Sequence, residues 1–394
     1  MLYRRSVLIY LIAIIVFISL VGCDVSPVDI PLDVATVPTD IPVTDAPVES
    51  PTEPPVVADT PTPTWWDVYF TDPLTVNDPN NISNSIEQQL IDRINAAQVS
   101  IHIASFEFDL DPVAEALIAA HDRGVDVRWI TDNEHGLGAD SDPGGGQFAR
   151  LQAAGIEVRA DTRTALMHNK FWIFDGLVLW TGSTNITKNG VFVQDNNTIV
   201  FQAPELATIY EREFQELWAG QFGPKSPSQL AEQSVVINGT PIQVIFTSED
   251  QAIAPAIIPL INGATTSIRF LAFSFTDFPL ADAMIQRAAQ GVDVAGVFDK
   301  TQAGGKGAEL GTFFCAGVPV RNDGNKQFMH NKVIVVDERY VITGSLNFST
   351  SAEESNDENV IIIDNPEIAR LYMQDFERVY NQGTDPDPAK VTCP

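Results

Sequence analysis

Short apolar runs alternate with amphipathic stretches along most of the chain, and this pattern predicts alternating strands and helices. In Ser100–Asp132, an apolar run is followed by a helical stretch that opens near Pro112 and then by a second run containing Gly-Val-Asp-Val. A glycine there ends the helix, and the valines that follow favour a strand. Short strands alternating with helices indicate parallel βαβ units and therefore an α/β fold.

The same pattern occurs twice. Ser267–Asp299 aligns with Ser100–Asp132 without a gap, and its helix opens near Pro279. The repeat is too long for a solenoid unit, so it predicts two similar lobes related by a pseudo-twofold axis. We place half one at residues 65–222, a connector at 223–233, half two at 234–384 and a C-terminal tail at 385–394.

The amino-terminal pattern differs from that of residues 65–394, which we call the body. Arg4 and Arg5 precede the apolar run Ser6–Val21, as in a signal segment, and the run ends in Leu-Val-Gly followed by Cys23, which resembles a bacterial lipobox. We expect residues 1–22 to be a lipoprotein signal peptide and Cys23 to carry the lipid. The alternative is an uncleaved membrane anchor, although the run is short for a span of about 20 residues. Both interpretations place the body outside the cytoplasm.

Residues 23–64 have a proline every few positions, mixed with Thr, Asp and Val. Proline removes backbone donors and fixes φ, so neither a helical nor a strand period survives this spacing. We therefore expect a disordered, lipid-anchored linker. An extended chain of this length reaches on the order of 100 Å.

Charge narrows the possible functions. The 394 residues include 52 acidic and 23 basic side chains, a net charge of −29, and 44% of the residues are hydrophobic, enough for a core. Residues 65–394 alone carry 44 acidic and 21 basic side chains, a net charge of −23. Non-specific nucleic-acid binding normally needs a basic surface, so nucleic acid is possible but disfavoured as a partner. Solubility or a salty medium explains the acidity equally well.

Three cysteines are too few for a disulfide-built scaffold of this size. Once Cys23 is lipidated, Cys315 and Cys393 remain. They can pair outside the cytoplasm, but the sequence gives no geometry for them and leaves the pairing open.

Each half contains the same polar constellation at identical internal spacing. The first set is His168, Lys170, Asp175, Gly182, Ser183 and Asn185, and the second is His330, Lys332, Asp337, Gly344, Ser345 and Asn347. In each set the His and the Lys are two positions apart on a predicted strand, so their side chains are expected to point to the same face of the sheet. Duplication alone gives no reason to keep an imidazole beside a cation twice, so the sets predict a catalytic role. His102 and His121 lack this context, and we expect them to be structural or surface residues.

Both sets match the signature H-x-K-x(4)-D-x(6)-G-S-x-N, and the chain resembles the phospholipase D superfamily over about residues 66–384. Half two is especially similar to the small bacterial endonucleases and cardiolipin hydrolases of that superfamily. The resemblance implies a bilobal α/β/α sandwich with one active site at the junction of the halves. It implies no cofactor and no metal, and no oligomer is required to complete the site.

The resemblance also implies phosphodiester cleavage through a covalent phosphohistidine, with one imidazole attacking phosphorus and the other protonating the leaving oxygen. The two lysines and the amides of Asn185 and Asn347 would stabilise the phosphorane oxygens. Ser183 and Ser345 are expected to support the floor of the site. The Asp and Gly members of each set, Asp175, Asp337, Gly182 and Gly344, are expected to be structural. The sequence offers no cluster of metal ligands.

The halves differ 28 residues after each motif histidine, where half two has Glu358 and half one has Asn196. A carboxylate behind an imidazole fixes its tautomer and raises its nucleophilicity. By the resemblance, this partner crosses the lobe junction, so Glu358 supports His168 and Asn196 faces His330. This predicts that His168 is the nucleophile and His330 the general acid. The alternative is that Asn196 reflects drift in one degenerate copy.

The sequence therefore predicts an extracytoplasmic phosphodiesterase, anchored to a bacterial membrane through Cys23, whose substrate is a phospholipid headgroup ester. Hydrolysis and transfer to an alcohol both remain open. The rivals are an endonuclease of the same superfamily and a non-catalytic binding lipoprotein. A cardiolipin-type synthase is disfavoured, because no segment beyond the leader is expected to cross a membrane. Val191 with Phe192, and Trp65 with Trp66, are expected either to contact lipid or to pack in the protein.

Overall fold

A computed structural model describes residues 64–393. Half one contains seven strands and five helices. They are β1 (Trp66–Phe70), α1 (Ile86–Ala96), β2 (Ser100–Ser105), α2 (Asp111–Asp122), β3 (Asp126–Thr131), α3 (Gln147–Ala153), β4 (Glu157–Ala160), β5 (Lys170–Phe174), β6 (Val178–Gly182), α4 (Lys188–Phe192), β7 (Asn197–Gln202) and α5 (Pro204–Trp218). Cys23, the expected signal segment before it and nearly all of the expected linker lie outside the described residues.

Half two repeats this order after one additional strand. Its elements are β8 (Ser234–Ile237), β9 (Thr240–Thr247), α6 (Ile258–Asn262), β10 (Ser267–Ala272), α7 (Phe278–Ala289), β11 (Asp293–Phe298), α8 (Leu310–Cys315), β12 (Val320–Asn322), β13 (Lys332–Val336), β14 (Tyr340–Gly344), α9 (Thr350–Glu354), β15 (Glu358–Asp364) and α10 (Pro366–Gln382). The helices α2 and α7 begin at the expected prolines, where the missing N–H costs nothing.

Each half builds one mixed sheet. The strand orders are β1-β7-β6-β5-β2-β3-β4 and β12-β11-β10-β13-β14-β15-β9-β8, so seven positions correspond between the halves. The predicted parallel βαβ arrangement is correct for β2-β3-β4 and for β10-β11-β12. The remaining strands, whose direction the repeat does not predict, pair antiparallel. The reason is local, because a three-residue turn joins β5 to β6 and so short a connection permits only a hairpin.

Helices cover both faces of each sheet, which makes the fold class the predicted α/β sandwich with two similar lobes. The outer face of the first sheet packs against α1, α2 and α3, and that of the second against α6, α7 and α8. The inner faces share one apolar core, to which α5 contributes Tyr210 and Phe214 and α10 contributes Tyr372 and Phe376. Both halves belong to one compact unit.

Two further features complete the fold. Cys315 at the end of α8 and Cys393 in the C-terminal tail form a disulfide, so the pairing that the sequence left open is present. Among residues 64–393, none of the helices combines the length and apolar character that a bilayer span needs.

Candidate functional site

The two motif histidines lie where the lobes meet. The backbone N–H of His168 donates to the carbonyl of Asp357 in the other half (2.9 Å), and that of His330 donates to the carbonyl of Asp195 (2.8 Å). The expectation that each histidine shares a strand with its lysine is wrong by two residues, since β5 begins at Lys170 and β13 at Lys332. The segments before those lysines pair with the opposite lobe instead.

The side-chain partners of the imidazoles also cross the lobe junction. Nδ1 of His168 lies 2.6 Å from Oε2 of Glu358, and Nδ1 of His330 lies 2.9 Å from Oδ1 of Asn196. Glu358 is therefore paired with His168, as the resemblance implies, and the reversed arrangement is absent. With Nδ1 engaged in both rings, Nε2 is the nitrogen that can meet a reacting atom.

The motif lysines lie beside the histidines on the same site. Nζ of Lys170 donates to the carbonyl of His168 (2.9 Å), and Nζ of Lys332 donates to that of His330 (2.7 Å). Each ammonium also stands about 5 Å from an aromatic ring, 5.0 Å for Phe106 and 4.8 Å for Phe273. The same rings contact the imidazoles edge-on. Sequence reasoning missed these phenylalanines, although they occupy equivalent positions of the two aligned segments.

The motif asparagines are not equivalent in their surroundings. Nδ2 of Asn185 donates to Oε2 of Glu107 (2.8 Å), a half-buried carboxylate that sequence reasoning also missed. Half two has Ser274 at the corresponding position of the alignment, so the acid is confined to one side of the site. Asn347 is half-buried, and Oδ1 of both asparagines is without a hydrogen-bond partner in the described part of the chain. The alignment of Ser100–Asp132 with Ser267–Asp299 could have revealed Glu107 as a difference between the halves.

The serines of the motif act behind the histidine partners. Oγ of Ser183 donates to Oδ1 of Asn196 (2.9 Å), the atom that also meets His330. Oγ of Ser345 accepts from the backbone N–H of Asn359 (2.9 Å), the residue next to Glu358. Both serines are fully buried, so they support the site from below and do not line its opening.

The glycine before each serine has a steric cause. Gly182 and Gly344 have φ values of 147° and 138°, where side chains are strained. A Cβ would also stand 2.4 Å from the carbonyl oxygen of Asn197 in the first case and 2.2 Å from that of Asn359 in the second. Glycine therefore lets the second motif strand approach the strand that carries the histidine partner.

A reciprocal amide network joins the lobes beneath the histidines. Nδ2 of Asn197 donates to Oδ1 of Asn331 (2.7 Å), and Nδ2 of Asn359 donates to Oδ1 of Asn169 (2.9 Å). All four amides are fully buried. The sequence analysis assigned no role to these asparagines. Their repetition at matched positions was the available signal.

The motif aspartates lie at the far end of β5 and β13 and bind backbone. Asp175 accepts the N–H groups of Gln98, Val99 and Ser100 at 2.7–3.1 Å. Asp337 does the same for residues 265–267 at 2.7–3.0 Å. Both adopt a left-handed φ, 55° and 53°, which aspartate tolerates better than most residues. They act on the turn before β2 and β10 and do not reach the histidines.

Burial and the lysines together set the protonation of the site. Burial, then Lys170 and Lys332, holds the pKa of His168 well below its usual value. Burial, then the same two lysines and His168, does so for His330. Burial raises the pKa of Glu358 to about 7, against the pull of Lys170. Because both rings are influenced by both lysines, the four groups occupy one electrostatic environment, in which neutral imidazole is favoured before substrate arrives.

The other side chains considered in the sequence analysis pack inside the protein. Val191 and Phe192 are buried in the outer core of half one, so the lipid-facing alternative is wrong for them. Trp65 packs against Phe201 at the end of the first strand. His102 stacks on Phe214 and pairs with Glu211, which is the structural role expected of it.

Folding brings together three carboxylates that the sequence analysis did not group. Glu213, Glu216 and Glu249 each offer a carboxylate oxygen within 4.8 Å of the others. The residues are separated in sequence and form no compact motif, so folding alone brings them together.

Comparison with known proteins gives a match in each half. Residues 90–218 and 257–380 match the family model described as "Cardiolipin synthase, PLD-like domain". The mitochondrial cardiolipin hydrolase of Xenopus laevis is 35% identical over 133 residues, which are 34% of this chain and 63% of that protein. A phospholipase D of Rickettsia conorii is 37% identical over 116 residues, which are 29% of this chain and 58% of that protein. The chain thus spans less than two thirds of the length of these relatives.

Among solved structures, phosphatidylserine synthase of Haemophilus influenzae superposes with a TM-score of 0.57 at 16% identity, covering 75% of this chain and 83% of that one. This likeness extends over both lobes and shows the fold. Nuc of Salmonella typhimurium, a phospholipase D family member, is 34% identical over 37% of this chain and 98% of its own, with a TM-score of 0.36.

Proposed function

The chain belongs to the phospholipase D-like family, and on that premise we propose that its two motif histidines form one phosphodiesterase site that acts on a phospholipid headgroup ester. The observation that carries the proposal is the reciprocal placement of the imidazoles. Each is held by backbone and side-chain groups of the opposite lobe, and one chain supplies both.

In the first step, Nε2 of His168 attacks phosphorus. The Nδ1–H bond to Glu358 keeps the nucleophilic lone pair on Nε2, and the carboxylate stabilises the imidazolium character that develops. As the P–N bond forms, the bond from phosphorus to the headgroup oxygen breaks. His330 donates a proton to that oxygen, and the headgroup leaves as an alcohol.

The low pKa of His330 in the free protein does not oppose this role. The depression comes from burial and from the positive lysines. A bound phosphodiester brings a negative charge into the same space, and opposite charge raises an imidazole pKa. His330 therefore takes up its proton together with the substrate.

In the second step, His330 accepts a proton from water, the water oxygen attacks phosphorus, and the P–N bond to His168 breaks. The product is a phosphomonoester lipid, and both imidazoles return to their starting state. Lys170 and Lys332 supply fixed positive charge to the pentavalent phosphorus in each step. These residues provide the nucleophile, the acid and the charge for a metal-independent route. An alcohol in place of water gives headgroup transfer.

Charge and relatives favour lipid over nucleic acid. The body carries a net charge of −23, and Glu107 adds a carboxylate beside Lys170 at the site itself. The acidic surface would repel the many phosphates of a nucleic acid along its length. A single lipid phosphate would bind only between the two lysines. Two of the relatives bear the names cardiolipin hydrolase and phospholipase D.

The test compares two substrate classes. The purified body, residues 65–394, is incubated with vesicles of labelled phosphatidylcholine or cardiolipin and, separately, with single- and double-stranded DNA, with and without EDTA. We expect headgroup release or cardiolipin cleavage that persists in EDTA, and intact DNA. Nicking of DNA without lipid cleavage would assign the nuclease function. Silence on both substrates would leave a binding lipoprotein.

We further propose that the protein is lipid-anchored outside the cytoplasm through Cys23. The lipobox-like sequence supports this, and so does the disulfide between Cys315 and Cys393, since such bonds persist in oxidising compartments. Cells fed a radioactive fatty acid should label the full-length protein but not the Cys23→Ser variant. Equal labelling of the two would contradict the anchor, and unlabelled protein in the cytosolic fraction would contradict the location.

A further inference from the structure

The geometry points to a calcium site, separate from the histidines, that is formed by Glu213, Glu216 and Glu249 and joins the two halves of the body. The first two belong to α5, the last helix of half one, and Glu249 follows β9 near the start of half two. This inference goes beyond the proposed function and does not rest on it.

The distances between the carboxylates fit a calcium ion. One oxygen of each lies within 4.8 Å of the others. Calcium takes oxygen ligands at about 2.3–2.6 Å, so two oxygens bound to one ion stand at most about 5 Å apart. Magnesium binds at about 2.0–2.1 Å in strict octahedral geometry and fits this spread less well. The cavity among these groups is about 10 Å³, room for one particle of about the size of a water molecule.

A second observation, independent of the acids, points into the same cavity. Gln233, in the connector, is 2% exposed, and its Oε1 is without a partner among the described residues. It lines the cavity together with the three glutamates. A buried amide oxygen left unpaired costs free energy unless a ligand meets it, and such oxygens are calcium ligands. Three carboxylates with two oxygens each and this amide offer up to seven oxygens, within the six to eight that calcium takes.

The charges around the cavity are unbalanced. Three carboxylates meet around this cavity, and Glu213 among them is only 5% exposed. Ionised carboxylates in such a position need a neutralising partner, and a divalent cation neutralises two of them at once.

The neighbouring polar groups leave room for an ion. Glu216 accepts hydrogen bonds from Oγ of Ser226 (2.9 Å) and from Nε2 of Gln229, and each oxygen keeps a further lone pair. Arg212 also lines the cavity; its Nη1 and Nη2 donate to Glu232 and Gln229, and its Nε is without a partner among the described residues. One guanidinium, already paired with Glu232, leaves at least two of the three carboxylate charges uncompensated.

The site connects elements that are distant in sequence. Its ligands come from α5, from the connector before β8 and from the segment after β9. An ion there would fix the connector against both halves and so hold the junction on which the histidines depend. The consequence is calcium-dependent stability of the folded body.

The test measures stability, not activity. Protein stripped of metal with EDTA and exchanged into chelator-free buffer at pH 7.5 is titrated with CaCl₂ while the midpoint of thermal unfolding, Tm, is followed by circular dichroism. At a 100-fold excess over Kd we expect Tm to rise by about 4 °C. Elemental analysis should find one calcium per chain. MgCl₂ at equal concentration should give a smaller shift.

The variants separate a bound ion from a shared proton. Glu213→Gln keeps the shape of the side chain and removes repulsion, so it should fold and lose the calcium-dependent rise in Tm. Glu205→Gln, an exposed position on the same helix, should keep the full rise. An unchanged wild-type Tm with no bound calcium would overturn the proposal, and so would equal calcium responses in both variants. Because no substrate enters these measurements, failure of the proposed phosphodiesterase function would leave them unaffected.

Discussion

Replacing His168 with alanine is expected to lower kcat by at least about 10⁴-fold, because the nucleophile itself is removed. Replacing His330 with alanine should cause a comparable loss on a lipid substrate, since the headgroup alcohol then leaves without a proton. Both variants should retain wild-type circular dichroism. His121→Ala, a half-buried histidine outside the site, serves as the control and should keep full activity. Substantial turnover by either motif variant would contradict the mechanism.

The two variants should differ on a substrate whose leaving group needs no acid. With bis(p-nitrophenyl) phosphate, His330→Ala still holds the nucleophile, so it should release about one nitrophenolate per chain in a burst and then stop. His168→Ala should give no burst. Acid-labile, base-stable phosphate bound to the stalled His330→Ala protein would identify the phosphohistidine. A burst from His168→Ala instead would exchange the roles of the two residues.

Replacing Glu358 with glutamine should lower kcat by about 10²–10⁴-fold while the protein stays folded. Glutamine can still accept the Nδ1–H bond of His168, so ring orientation is largely kept, but the negative charge that stabilises the imidazolium is lost. Removing an anion also lowers an imidazole pKa, so the acid limb of the pH–kcat profile should move to lower pH. A merely structural glutamate would not move that limb.

The control for this prediction lies four residues away. Glu354→Gln changes an exposed glutamate at the end of α9 and should leave both kcat and the pH profile unchanged. If Glu358→Gln matches it in both measurements, Glu358 plays no part in the chemistry. If kcat falls without any movement of the acid limb, the carboxylate only packs the site.

Much of the fold could be predicted because the sequence contains the same pattern of elements in both halves. A gap-free repeat with its two prolines fixed the helices α2 and α7 and the parallel strands on either side of them. The antiparallel strands were harder to predict, since β5 and β6 are apolar on both faces and give no directional signal. The turn at residues 175–177 is too short for a crossover connection, and its length, not the hydrophobic periodicity, indicates that the two strands are antiparallel.

The site was predictable wherever both halves repeat it and less so where they differ. The paired histidines, lysines and serines all converge on the junction. Glu107 was missed because its counterpart is Ser274 and a repeat-based search favours what is shared. The glutamates of the proposed calcium site were missed for another reason: they come from unrelated positions of the two halves, and only the packing of α5 against the segment after β9 brings them together.

The crossing of partners between lobes has a consequence for how such a site can evolve. In an assembly of two identical chains, any substitution behind one histidine appears behind the other as well, so the two rings stay chemically alike. Joining both copies in one chain removes that constraint. Glu358 behind one ring and Asn196 behind the other is a division of labour that a symmetric pair of chains could not encode.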